Sequence, residues 1–117
     1  MKIGIDVAKL DRFVKLVENQ SFLERVFTQK EIEHIFLHGT IEGKIERLAG
    51  KFCAKEACIK ALQQYGVTGV YLTDIETYHD KNGCPKLRLL KKISKNLRFK
   101  LSISHDKTKA IAFVIAK

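Results

Sequence analysis

Asp6, Glu56 and Lys60 are the charged residues whose positions look least like plain surface. Asp6 falls near the end of a run in which Ile3, Ile5 and Val7 alternate, so it lies on the opposite face of a strand. Glu56 projects beside an apolar helical stripe and Lys60 lies one turn further on, which shields both charges in part. Taken singly, Asp6 reads as a strand-end turn residue and Glu56 as half of a helical ion pair with Lys60. Common phosphate-loop motifs are absent. No G-x-G-x-x-G occurs, and Gly39-Thr40-Ile41-Glu42-Gly43-Lys44-Ile45 misses both the P-loop spacing and its final Ser or Thr.

Periodicity and caps give the secondary structure that carries these side chains. Lys2 to Val7 has the period of a strand, and Leu10, Phe13, Val14 and Val17 have the spacing of a helix whose exposed face carries Lys9, Arg12 and Lys15. Thr28-Gln29-Lys30-Glu31 is a capping box that opens a short helix running towards His38. Gly39 to Gly43 reads as a loop, and Lys44 to Tyr65 as a long helix with Gly66 as its C-cap. Ile45, Leu48, Phe52, Ile59 and Leu62 form one stripe of that helix. Ala54, Ala57, Cys58 and Ala61 form a second, of small side chains, so both sides can be covered. Val70 to His79 and Lys86 to Leu90 flank Asp80-Lys81-Asn82-Gly83 as a hairpin with Pro85 at a strand end, and Phe99 to Ser104 and Lys109 to Ala116 read as two further strands. The expected architecture is one α+β domain over residues 1–117, a mainly antiparallel sheet packed against a long central helix.

Length and composition agree with this. The 117 residues are 45% hydrophobic, enough for one core and too few for two. Lys and Arg number 22 against 13 Asp and Glu, giving +9, so an anionic partner is expected. The cysteines, Cys53, Cys58 and Cys84, are odd in number and form no C-x-x-C pair, which fits a reduced, cytoplasmic protein. Neither the opening Met1-Lys2-Ile3-Gly4-Ile5-Asp6 nor the apolar run Ala110 to Ala116 suits a signal peptide or a membrane span.

Gly4-Ile5-Asp6 and Phe52-Cys53-Ala54-Lys55-Glu56-Ala57-Cys58-Ile59-Lys60 resemble the two signature motifs of phosphopantetheinyl transferases, G-[IV]-D and [FW]-x-x-K-E-[AS]-x-x-K. The second is the more specific, because defined residue types recur at fixed helical spacing. The likeness is closer still to the short bacterial holo-acyl-carrier-protein synthase group and extends over almost the whole chain. It includes Arg12, Arg25-Val26-Phe27-Thr28 with Glu31, Leu48-Ala49-Gly50, Asp74-Ile75-Glu76, Gly83 with Pro85, and Ser102-Ile103-Ser104-His105.

This resemblance implies an enzyme that moves the 4'-phosphopantetheine arm of coenzyme A onto a serine of apo-acyl carrier protein, in support of fatty acid biosynthesis, with 3',5'-ADP leaving. Mg²⁺ would bridge Asp6 and Glu56 to the diphosphate, since it takes hard oxygen ligands and retains water. By the same resemblance Glu56, Lys60 and His105 act in catalysis, with Lys60 facing the diphosphate; a solvated loop histidine is the alternative for His105. Lys51, Lys60, Gly83, Pro85, Ser104 and His105 contact the coenzyme, and Arg12 and Arg25 dock the acidic carrier. Lys51 stands where the family often has arginine and lacks its planar fork, while Cys84 and Gly43 stand where basic residues occur. A homotrimer with active sites between subunits is also implied.

Two other classes are open to a chain this basic. A nucleic-acid-binding domain is suggested by Lys91-Lys92-Ile93-Ser94-Lys95-Asn96-Leu97-Arg98, but no basic strand face with interleaved exposed aromatics accompanies it. A non-catalytic carrier-protein interaction module would not need Asp6, Glu56 and Lys60 together.

Overall fold

The structure, a computed structural model, describes residues 1–117. In chain order it has β1 (Lys2–Lys9), α1 (Gln20–Val26), α2 (Gln29–Ile35), α3 (Ile41–Gln63), β2 (Ile75–His79), β3 (Pro85–Leu89), β4 (Phe99–His105) and β5 (Lys109–Ala116). The strands form a three-stranded antiparallel sheet, ordered β1-β5-β4, and a separate β2-β3 hairpin. The α+β expectation is met, with α3 at the centre. One side of α3 meets the three-stranded sheet and the other meets the hairpin, which is why its small and large apolar stripes are both buried.

Local chemistry fixes the ends of α3. The Thr40 hydroxyl accepts from the Gly43 amide at 3.1 Å, so the helix starts at Ile41, inside the segment expected to be a loop. At the other end Gly66, at φ 76, lets its amide donate to Gln63 O at 2.9 Å and the Val67 amide donate to Leu62 O at 3.1 Å. This pair of bonds is the Schellman closure that a left-handed glycine permits. The Thr28–Glu31 capping box also forms, with Glu31 Oε1 accepting from the Thr28 amide at 3.0 Å.

The expected helix after β1 is instead two short 3₁₀ turns, Leu10–Phe13 and Leu16–Glu18. Neither has a side-chain cap, and Asn19, which would have continued the helix, is taken as the N-cap of α1 by accepting from the Phe22 amide. Leu10, Phe13 and Val17 are buried as their spacing predicts, but Val14 is exposed. The first hairpin strand is also shorter than expected, because a 3₁₀ turn occupies Leu72–Asp74.

One close approach positions the sequence motifs. A Cβ on Gly4 would lie 1.8 Å from the Ala57 carbonyl oxygen and 2.9 Å from the Ala61 amide, so only glycine lets β1 rest directly on the backbone of α3. Asp6, two residues on and on the same face, is thereby delivered to the level of Glu56 and Lys60.

Candidate active site

The residues singled out by sequence gather in two places. At the first, Lys60 Nζ donates to Asp6 Oδ1 at 3.1 Å and to the Ile5 carbonyl at 2.9 Å, and Gln64 Nε2 donates to the Ile3 carbonyl at 2.8 Å. The helix thus grips the open edge of β1. The i,i+4 pair with Lys60, the alternative reading of Glu56 taken singly, is not formed, because Lys60 finds Asp6 across the strand instead. Glu56 is left half-buried and makes no ion pair. Burial, reinforced by the charge of Asp6, raises its pKa above the usual carboxylate range, against the opposing pull of Lys60 and Arg12. Two neighbouring carboxylates of which only Asp6 is ion-paired suit a hard divalent cation, which takes oxygen ligands and retains water. No larger group of metal-ligating side chains exists in the chain. Cys53, beside Asp6, is no rival nucleophile: burial first and the Asp6 carboxylate second push its thiol up to about 12.

Arg12 borders this site. Its guanidinium lies 4.8 Å from the centre of the Phe52 ring and 5.5 Å from that of Phe13. Phe22 of α1 packs on the same Phe52 ring at 6.4 Å. Arg25, also on α1, is exposed and donates to the Ser21 hydroxyl.

The second place is a cleft of about 360 Å³ between α3, the hairpin and the end of β4. Lys51, Pro85 and His105 line it together with His34, Glu46, Arg47 and His79. His105 Nδ1 lies 3.1 Å from Glu46 Oε2. Lys51 is only 3% exposed, and its Nζ donates to Thr77 Oγ1 at 3.2 Å. Burial lowers its pKa to about 8, with the nearby Glu31 carboxylate opposing that shift. Gly83 and Ser104 lie outside the cleft lining. Gly83, at φ 80, closes the hairpin turn, while Ser104 pairs with Ile111 and so faces the other side of the sheet from His105. In the sheet Asp6 and Ile103 both pair with Ala112, and Ala8 and His105 both pair with Ala110. The two places are therefore separated by β5, about 10 Å at two strand spacings.

The profile of the 4'-phosphopantetheinyl transferase superfamily matches residues 2–114. The chain belongs to that superfamily. A holo-(acyl-carrier-protein) synthase of Caldicellulosiruptor saccharolyticus is 44% identical over 121 residues, covering 98% of this chain and 94% of the relative. Among solved structures, a holo-(acyl-carrier-protein) synthase from Bacillus anthracis in complex with CoA (3',5'-ADP) matches at a TM-score of 0.82 and 35% identity, covering 98% of this chain and 94% of that one. The Helicobacter pylori enzyme in complex with coenzyme A matches at 0.79 and 34%, covering 98% and 99%.

As a phosphopantetheinyl transferase, the chain carries cleft residues that its signature motifs do not mark. His34, Glu46, Arg47 and His79 had no local signal beyond their charge, because they come from three elements that only packing unites. Arg47 is held in place by its Nε and Nη2, which donate to the Ile35 carbonyl at 3.1 and 2.9 Å.

Proposed function

We propose that this transferase moves the 4'-phosphopantetheine arm of coenzyme A to a serine hydroxyl of apo-acyl carrier protein, releasing 3',5'-ADP. The observation that carries the reading is the pairing of Asp6 with Lys60 beside an uncompensated Glu56, next to a cleft rich in cations. The serine oxygen forms a bond to the phosphorus bearing pantetheine, the bond from that phosphorus to the bridging oxygen breaks, and the serine proton is lost to solvent or a base.

Asp6 and Glu56 would hold Mg²⁺, which supplies charge neutralisation at the diphosphate when bound. Lys60 fixes the Asp6 carboxylate and adds positive charge where the diphosphate sits. Its second bond, to the Ile5 carbonyl, keeps the ammonium at the strand edge. Lys51 and His105 serve the coenzyme from the cleft, with Glu46 orienting the His105 ring. Gly83 and Ser104 would reach coenzyme only at a boundary between subunits. Arg12, packed on Phe52 beside Glu56, gives the acidic carrier a cationic landing point at the mouth of the site, and Arg25 extends it.

A homotrimer is part of the same reading. The outer face of the sheet exposes Ile3 at 46%, Ile5 at 53%, Val7 at 57%, Ile111 at 38% and Phe113 at 37%, an apolar surface that favours burial against other copies. No helix is long and apolar enough to cross a membrane.

The test is the intact mass of apo carrier after incubation with this protein and coenzyme A. The expected result is a gain of one phosphopantetheine group with Mg²⁺ and none after chelation. No gain with a folded preparation and several carriers overturns the enzymatic reading, and gain without divalent metal removes the metal from it. Light scattering should report a trimer; a monomer of full activity overturns the shared-site assembly.

A further inference from the structure

His34, Arg47, Lys51, His79 and His105 can all carry positive charge in the cleft, against a single acid, Glu46. Most of them are already engaged. His105 contacts Glu46, Arg47 donates to the Ile35 carbonyl, and Lys51 donates to Thr77. The His34 and His79 rings stack on each other, with centroids 4.5 Å apart and planes at 26°. His34 Nδ1 is buried and has no hydrogen-bond partner. A buried ring nitrogen left this way is costly unless a ligand satisfies it.

The surrounding charges come from every neighbouring element. Burial first, then Lys51 of α3, lowers the pKa of both histidines, and His79, Arg47 and His38 add to this at His34, which falls to about 4. Asp80 of the hairpin opposes the shift at His79. Lys30 of α2 and Glu76 of β2 line a smaller cavity that shares His34, Lys51 and His79 with the cleft. Glu31 raises and Lys55 lowers the pKa of Lys51. Without an anion the pair is therefore neutral at physiological pH. A phosphate dianion in the cleft reverses that field, and because two imidazolium rings in stacking contact repel, the pair then holds one proton between them.

We propose that the stacked His34–His79 pair, together with Lys51, recognises the phosphate monoester of coenzyme A and takes up a proton as it does so. This rests on the coenzyme-dependent reading given above. The reacting diphosphate occupies the Asp6–Glu56 place, so the coenzyme group left for the cleft is its monoester, a dianion above a second pKa of about 6. Imidazole donors that charge on contact give charge-assisted hydrogen bonds to such a group and none to a ligand that lacks it.

The experiment is calorimetric titration of wild type and the His34→Gln/His79→Gln double variant with coenzyme A and with dephospho-coenzyme A. It is run at pH 6.5 in buffers of different ionisation enthalpy, where Lys51, with its pKa of about 8, is already charged and silent. Wild type should prefer coenzyme A by tenfold or more and bind it with more proton uptake than the variant shows. The phosphate, with its second pKa of about 6, is mostly dianionic at this pH, so its own proton release is a minor fraction in both proteins. The variant should lose fivefold or more in affinity for coenzyme A and nothing for dephospho-coenzyme A, whose unchanged binding also certifies its fold. Equal losses for both ligands, unchanged affinity for coenzyme A, or identical proton uptake would overturn the proposal. Wild type that binds neither ligand would overturn the coenzyme-dependent reading itself, and the proposal with it.

Discussion

Lys55 is fully buried and donates to Glu31 Oε1 at 2.5 Å and to the carbonyls of Ile75 and Leu72 at 2.6 and 2.8 Å, whereas Glu56, the next residue, is half-buried and pairs with nothing. The partner Glu31 is equally saturated. Its Oε1 caps Thr28, and its Oε2 accepts from the Thr77 amide and hydroxyl at 3.0 and 2.6 Å. Both residues belong to one signature motif, yet the helix turns them to different sides, Lys55 towards the hairpin and Glu56 towards β1. The difference separates a charge whose partners the fold supplies from one whose partner must come from outside. The first ties α2, α3 and β2 together; the second stores an unfavourable field that a cation would relieve.

Of the two neighbours, Lys55 should show the larger response to substitution. Lys55→Met leaves Glu31 as a buried carboxylate without its cation, a change that costs about 3–5 kcal/mol. Denaturant titration should show that loss, and Lys55→Met/Glu31→Gln should recover part of it by removing both charges. If Lys55→Met keeps its stability but loses turnover, Lys55 belongs to the reaction instead of the framework.

Glu56→Gln should behave in the opposite way. Turnover with saturating carrier should fall about 100-fold, near 2.7 kcal/mol of transition-state stabilisation. Stability should hold or rise. The sign follows from the raised carboxyl: a folded pKa above the unfolded value means the native state binds the proton more tightly, so the wild type loses stability relative to Glu56→Gln as pH climbs through and above the usual 4.5. Thermal melts of the pair from pH 4 to pH 7, with both proteins otherwise alike, check this, and a widening deficit for Glu56→Gln towards neutral pH would contradict it. Mg²⁺ should raise the melting temperature of wild type and not of Glu56→Gln, because a ligand stabilises only the state that binds it.

The smallest effect is expected at Arg12. Arg12→Gln removes a cation from the mouth of the site without adding an acid near Glu56, so kcat/KM for the carrier should fall about threefold to tenfold at low salt while kcat holds. The deficit should shrink as ionic strength rises. A deficit that ignores salt would point to lost packing on Phe52 instead of lost steering.

Whatever depends on neighbours along the chain was legible in the residues alone. The capping box at Thr28, the C-terminal glycine at Gly66, the alternation in β1, the apolar run of β5 and the Asn82-Gly83 turn are local hydrogen-bonding and steric preferences, and each element appeared where its signal lay. The motif spacing likewise put Glu56 and Lys60 one helical turn apart. The helical spacing of Leu10 to Val17 was less reliable, because the same residues are buried by two 3₁₀ turns once Asn19 is committed to capping α1. Tertiary structure alone decided which charge meets which. Lys60 reaches Asp6 instead of Glu56 because Gly4 brings β1 onto α3, and Lys55 is saturated because α2 and the hairpin close over it. His34 and His79 stack from elements far apart in sequence. Coulombic and hydrogen-bond energies depend on separations of a few ångströms, and those separations are set by which faces pack together, a property no local pattern of residues records.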